Sequence, residues 1–195
     1  NYYYFGISGA GTYSFWRVVA GEWTRLIDWT EAAAIDTEDG AVNRLGVLAQ
    51  GDRFLLLVND VPLAEATDAT FGAGTVGVYA GAYEEAGLDV TFDNLDVWVL
   101  SEGQATLPGD AEALAAAQAR SDQVRGGDAT YSTRFSRDDG AWTLGEDDAA
   151  TLTIERGALS IEVQNDQWLS WAANPTEVTD FQVEVEVALA DTSIP

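Results

Sequence analysis

The stretch VNRLGVLAQGDRFLLLVND, residues 42–60, sets two apolar runs on either side of a Gly-Asp pair and ends on Asn-Asp. Short runs rich in Val, Leu and Phe between such turn residues are typical of β-strands. Asn and Asp tolerate the left-handed backbone region that a tight turn requires. We therefore predict strands at Val42–Ala49 and Phe54–Val58, a turn at Gly51-Asp52 and another turn at Asn59-Asp60.

The same pattern continues in both directions along the chain, with turns roughly every 8 to 12 residues, as in β-sandwiches and barrels. Antiparallel strands are predicted at Tyr2–Ser8, Thr12–Val19, Glu22–Trp29, Thr75–Ala80, Leu88–Leu100, Tyr131–Phe135, Thr151–Glu155, Ala158–Val163, Gln167–Ala172 and Thr179–Leu189. Because side chains alternate along a strand, the apolar runs predict that the following positions are buried: Tyr2, Tyr4, Phe15 and Val58.

Residues 101–130 interrupt the strand pattern. The run DAEALAAAQARSDQV has helical composition, with Asp110 as N-cap, Arg120 and Arg125 late, and Gly126-Gly127 as a stop. We expect a short helix that lies on a surface or links two units, with a frayed linker as the alternative. The chain then divides into residues 1–100, a linker at 101–130, and residues 131–195.

The composition narrows the classes of function. The formal net charge is -24, from 33 acidic and 9 basic residues, and every basic residue is Arg. Such a surface repels phosphates, so we expect no nucleic-acid partner and no insertion into membranes. No apolar run approaches the ~18 residues that a membrane span needs. Cys, His and Met are absent, which excludes Ser-His-Asp and cysteine catalysis and the usual zinc sites.

Two sets of segments resemble a known family. Residues 71–100 contain the segments GTVGVYAG and TFDN. Together with residues 1–30 and 42–66, they resemble the second part of a concanavalin-like, laminin-G-like jelly roll of bacterial surface proteins. The closest likeness is to the 3-keto-disaccharide hydrolase type of domain. Residues 131–145, 155–171 and 179–191 resemble the first part of the same domain. The resemblance implies an all-β, two-sheet antiparallel jelly-roll sandwich, with its two parts in permuted order and a short helix in the linker.

The permuted order has a physical consequence, because half a sandwich exposes an apolar face and unpaired strand edges. At ~25 cal/mol per Å² of apolar area, the open face loses more free energy than the ~5 to 15 kcal/mol that stabilises a folded protein. The strands of 131–195 must therefore complete the sandwich of 1–100. We expect another copy to provide them, since the chain starts at Asn1 as part of something longer; closure within one chain is the alternative.

Aromatic side chains are candidates for stacking on sugar rings. Trp23, Trp29 and Tyr83 lie near predicted turns and are the glycan-stacking candidates. The competing interpretation places the tryptophans, including Trp16 and Trp98, in the core or at strand edges.

Carboxylates offer two further kinds of site. Glu184 and Glu186 share one face of a strand with Gln182, which suggests a glycosidase pair or a solvated strand face. We favour the solvated face, because the third carboxylate of laminarinase-like enzymes is missing. Acidic clusters give weak candidates for a calcium site, and no other cofactor is expected; these residues are Asp138, Asp139, Asp147 and Asp148.

The sequence thus favours a non-catalytic, extracellular or cell-surface module with structural or adhesive function. It would be one repeat of a tandem surface protein or filament, with further copies of itself and weakly bound glycans as partners. A carbohydrate-active enzyme of the keto-glycoside hydrolase type is the alternative. It depends on resemblance of fold alone.

The charge of -24 predicts a salt-dependent stability, because like charges repel in a compact body and salt screens them beyond ~8 Å at physiological ionic strength. We expect sodium chloride, or calcium chloride at lower concentration, to raise the melting temperature measured by circular dichroism. An unchanged melting temperature between low and high salt would contradict this prediction.

Overall fold

The computed structural model describes residues 1–83, 86–100 and 113–189. The strands are β1 (Tyr2–Ile7), β2 (Thr12–Val19), β3 (Glu22–Glu31), β4 (Val42–Gln50), β5 (Arg53–Val58), β6 (Val61–Thr67), β7 (Gly74–Ala82), β8 (Leu88–Val99), β9 (Tyr131–Thr133), β10 (Gly145–Glu146), β11 (Ala150–Glu155), β12 (Ala158–Val163), β13 (Trp168–Val178) and β14 (Phe181–Leu189). Helix α1 (Ala113–Arg125) lies between β8 and β9.

One layer is a large antiparallel sheet with the strand order β10-β11-β12-β8-β14-β4-β5-β6, and β9 pairs with β8. Strand β14 lies at its centre. Its Phe181 is opposite Ala49 of β4 on one side and opposite Val99 of β8 on the other. Strand β14 thus pairs with two strands of residues 1–100 in the same chain, and does not belong to the sheet that contains Tyr2–Ile7.

The facing layer consists of two smaller antiparallel sheets, β1-β2-β3 and β7-β13. Apolar side chains from both layers pack between them in two clusters, including Phe15 and Phe54 in one and Val78 and Leu159 in the other. The predicted fold class, an all-β antiparallel sandwich with one short helix, is confirmed.

Helix α1 packs on the outer surface of the large sheet. Its Ala117 and Val124 are buried against Leu48, Leu55 and neighbouring apolar residues of β4, β5 and β8. The helix ends at the predicted glycines, where the amides of Gly126 and Gly127 donate to carbonyls of the last turn. The predicted N-cap at position 110 lies outside the described residues. In the part of the chain that the structure describes, no helix is long and apolar enough to cross a membrane.

Three of the four predicted core positions are buried: Tyr4, Phe15 and Val58. The prediction for Tyr2 is wrong, because 40% of its surface is exposed. Along β1 it is Tyr3 that faces the core, where its ring stacks on Phe15 at 5.8 Å. Tyr2 and Tyr4 therefore lie on the outer face, and Tyr4 is buried by other aromatic side chains there rather than by the core.

Three strands differ most from the sequence prediction: β6 and the two-residue β10 were not predicted, and β13 is longer than predicted. Strand β6 was not predicted, because Pro62 and the polar residues of VPLAEAT hide its alternation. Strand β13 continues beyond Ala172 to Val178, with an irregular register between Asn174 and Glu177 that accommodates the intervening proline. Asn59 and Asp60 have the predicted positive φ angles, 51° and 65°.

Asp68 fastens β1 and β2 to the large sheet. Its carboxylate accepts hydrogen bonds from the Tyr3 hydroxyl at 2.6 Å, from Arg17 Nη1 at 2.6 Å and from the Thr70 amide at 2.9 Å. Burial raises the pKa of Asp68, but the hydrogen bonds from Thr70 and Tyr3 and the charge of Arg17 outweigh it and lower the pKa to about 2. The carboxylate is thus held in its charged form.

The lowered pKa of Asp68 predicts an acid-sensitive contribution to stability. The contribution is complete above the unfolded-state pKa of ~3.9 and is lost as the pH falls through the folded-state value of about 2. We expect Asp68→Asn to lower the free energy of unfolding by about 2 kcal/mol at pH 7. Urea titrations between pH 6 and about 2 should show that the free energy of unfolding falls less with acid in the variant than in the unmodified protein. If the two free energies fall in parallel, Asp68 does not have this role.

Candidate functional site

Aromatic side chains cluster on the outer face of the β1-β2-β3 sheet. The Trp23 ring lies 6.0 Å from Tyr2, 5.8 Å from Tyr4 and 6.0 Å from Trp16, with ring planes close to perpendicular. Such edge-to-face contacts are favourable for aromatic pairs. Strands β1, β2 and β3 thus hold four rings in one connected group, because alternate residues of adjacent strands share a face.

Strand β7 and the residue that follows it add two tyrosines to this group. The Tyr79 ring lies 4.1 Å from Tyr4. Tyr83 directly follows β7 and lies close enough to Tyr4 to contribute to the raised pKa of that phenol. Gly6 makes the approach of Tyr79 feasible, since a Cβ at this position would lie 2.1 Å from the Tyr79 hydroxyl oxygen. We call these six residues the aromatic face: Tyr2, Tyr4, Trp16, Trp23, Tyr79 and Tyr83.

Polar groups accompany the rings. The Arg25 guanidinium lies 4.9 Å from the centre of the Trp16 ring and is bound by Asp28 at 2.8 Å. The indole of Trp16 donates to the fully buried Ser14 hydroxyl at 2.9 Å. Burial, followed by the proximity of Tyr83, raises the pKa of Tyr4, so this phenol stays neutral. The aromatic face therefore combines stacking surfaces with neutral hydroxyls and one cation.

The structure brings two of the three predicted stacking residues close to Tyr4. The Trp23 ring contacts Tyr4 edge to face, and Tyr83 lies near enough to affect the Tyr4 pKa; they are 44% and 61% exposed. Trp29 is 39% exposed, but within the described residues its ring makes no aromatic contact. The sequence analysis did not select Tyr2, Tyr4 or Tyr79 as surface residues, although the alternate spacing of Tyr2 and Tyr4 is a signal for a shared face.

The opposite surface of the molecule corrects the interpretation of Gln182 and Glu184 as a solvated strand face. Gln182 is fully buried and Glu184 is 6% exposed, because helix α1 covers this side of β14. Gln182 donates to Glu184 at 2.7 Å, and Arg125 of the helix lies 3.5 Å from Glu184 while also binding Asp60. The burial of this side of β14 by helix α1 was not predicted from the sequence.

Burial raises the pKa of Glu184, although Arg125 and the hydrogen bond from Gln182 oppose the shift. A raised carboxyl pKa is a frequent property of glycosidase acids. Here, however, the carboxyl lies beneath the helix, and Glu186 is hydrogen-bonded by Asn94. A sugar would have to displace α1 to reach Glu184, so we interpret Glu184 as an anchor for the helix.

The acidic candidates for calcium binding form turns. Asp138 accepts from the amide of Gly140 at 2.8 Å, and Asp139 accepts from that of Ala141 at 3.0 Å. Two backbone amides bind the carboxylate of Asp147 and lower its pKa, and Asp148 is exposed beside it. Among the residues that the structure describes, no group of three or more acidic side chains converges as a metal site would require.

Comparison with known proteins assigns no relative to this chain: no protein-family model matches it, and no curated protein matches it significantly.

The raised pKa of Glu184 predicts the sign of a pH effect. A carboxyl whose folded-state pKa is raised loses stability as the pH rises through that pKa, and glutamine removes this loss. The free energy of unfolding of Glu184→Gln relative to the unmodified protein should therefore increase from pH 4 to pH 7. Glu162→Gln, on the exposed side of β12, serves as the control and should show no such trend. A pH-independent difference for Glu184→Gln would contradict the prediction.

Proposed function

We propose that the chain is a non-catalytic adhesive module of an extracellular or cell-surface protein, and that its aromatic face binds glycans weakly. The observation that carries this proposal is the connected group of six aromatic side chains on one outer sheet face. Aromatic residues on a surface are commonly used for recognition, because they bury much area at little cost in conformational entropy.

The chemistry of the aromatic face suits a neutral sugar. Exposed indole and phenol rings offer apolar surface for the C–H faces of a pyranose, and neutral hydroxyls offer hydrogen bonds. The chain's overall charge of -24 disfavours acidic glycans such as sulfated or uronic polymers. We therefore propose neutral oligosaccharides as the ligand class.

We further propose that modules associate by exchanging strands between copies. Strand β14 pairs with β4 and β8, and α1 and β9–β14 follow a connection, residues 101–112, that lies outside the described residues. An exchanged strand makes the same contacts in a neighbouring copy as in its own chain, so exchange retains the sheet while joining modules in series.

A tryptophan substitution tests glycan binding. Trp23→Ala removes the ring that contacts three other members of the aromatic face, whereas Trp29→Ala removes an equally exposed indole on the same strand outside it. We expect a neutral oligosaccharide selected on a glycan array to bind the first variant roughly five- to tenfold more weakly, since an aromatic contact contributes about 1 kcal/mol. Equal losses in both variants, or an array without any neutral ligand, would refute the proposal.

Introduced cysteine pairs test strand exchange. The natural chain contains no cysteine, so any disulfide must form between the introduced residues. Arg44 and Glu186 are opposite each other on β4 and β14. Co-refolding Arg44→Cys with Glu186→Cys should yield disulfide-linked dimers, seen by non-reducing electrophoresis, if β14 of one chain pairs with β4 of the other. Arg44→Cys mixed with Glu162→Cys is the control for random collision, because Glu162 is opposite Asp89.

The double variant, with cysteines at 44 and 186 in one chain, separates the two outcomes. Internal disulfides in this variant together with no more dimers than the control would show closure within each chain, and would exclude strand exchange.

A further inference from the structure

The apolar side of the central strand β14 is incompletely covered. Val183 and Val187 face the interior of the sandwich but are only half-buried, although Val185 between them is buried. A strand at the centre of a sheet normally buries its apolar side most completely. Something that should lie over these valines is therefore absent from the facing layer.

The facing layer is divided at this place. Strand β1 is paired with β2 on one side, and β7 is paired with β13; within the described residues neither has a ladder partner on its other edge. The rings of Tyr4 and Tyr79 meet at 4.1 Å, so the free edges of β1 and β7 face each other across a gap. Two unpaired edges leave two rows of backbone donors and acceptors without sheet partners.

A cavity of about 1620 Å³ occupies the gap. Successive residues of β1 and of β7 line it, from both faces of each strand, so the cavity runs between the two edges and through the layer. Its floor is formed by apolar side chains of the large sheet, including Phe92, Val183 and Val185. Protein interiors seldom leave voids larger than a water molecule, and pockets for small ligands measure ~300 to 1,000 Å³.

We propose that this gap is the binding site for an extended polypeptide strand from outside residues 1–195, which inserts between β1 and β7 and completes the facing layer. A strand satisfies both free edges and the apolar floor together, which a small apolar ligand cannot do. The proposal goes beyond glycan binding and beyond exchange of β14, because β14 already has two partners of its own.

The lining of the cavity specifies the chemistry of the inserted strand. Side chains that point inward meet valines and Phe92, so alternate positions should be Val, Ile or Phe. The position beneath the Tyr4 and Tyr79 rings should be glycine, because these rings already meet across the gap. The charged residues in the lining are Asp36, Glu38 and Asp39, so an arginine or lysine should stand at that end of the strand.

The segments 101–112, SEGQATLPGDAE, and 190–195, ADTSIP, do not have this chemistry, because they contain no run of alternating large apolar residues. The strand that we propose therefore comes from outside residues 1–195. Its insertion would follow the principle of donor-strand complementation, in which an added strand fills an open sheet.

The test uses a synthetic nine-residue peptide with valine at alternate positions, glycine at the central outward position and arginine at one end. We expect it to bind the 195-residue protein in isothermal titration calorimetry. Hydrogen exchange should slow at amides of both Tyr2–Ile7 and Gly74–Ala82, since an inserted strand forms two ladders.

Two N-methylated versions of the peptide are the matched controls. Methylating alternate amides in one register blocks hydrogen bonds to one edge, and the other register blocks the other edge. Insertion predicts that each version binds at least tenfold more weakly. If only one version binds more weakly, the peptide adds to a single strand edge. If neither version binds more weakly, the peptide is held by apolar contacts alone. Either result overturns the proposal.

A second measurement applies if the separate peptide binds the protein too weakly to be detected. The same strand is fused before Asn1 through a flexible Gly/Ser linker, and a fusion with the valines replaced by serine is the control. The valine strand should raise the melting temperature above that of the serine strand. If the peptide does not bind and the fused strand does not stabilise, the gap is not a strand site. Neither result depends on glycan binding or on dimer formation.

Discussion

The double pairing of β14 is the constraint on which the rest of the molecule depends. This strand joins β4 to β8, and thereby makes one sheet from segments far apart in sequence. Its two faces also organise the layers, since its valines face the sandwich interior and its polar side chains receive helix α1. A change that removed β14 would leave two sheet edges bare and the helix without its ionic anchor.

The strands could be predicted largely from sequence, because alternation and turn residues are local signals. The hairpin around Gly51 and the turn at Asn59-Asp60 follow from residue types alone. The role of helix α1 could not be predicted in this way. The helix sequence is rich in alanine and is typical of an exposed helix. It does not predict that Arg125 contacts Glu184 on β14, because these residues are far apart in sequence.

The aromatic face was predictable only in part. Trp23 and Tyr83 stood out because they are aromatic residues near turns, but their meeting through Tyr4 depends on how β1 and β7 approach each other. The alternation of side chains predicts that Tyr2 and Tyr4 lie on the same side of β1. It does not predict which side faces the core, because both sides of β1 carry aromatic residues. The deciding contact is internal to the core, where Tyr3 packs on Phe15 and Phe54.

The placement of β14 has a mechanical consequence. A load applied along this strand acts on the hydrogen bonds of both ladders at the same time, as a shear, whereas an edge strand such as β6 can be peeled away bond by bond. Resistance to pulling depends on the rate of unfolding rather than on equilibrium stability. Strand β14 is thus positioned where tension would meet a high barrier to unfolding.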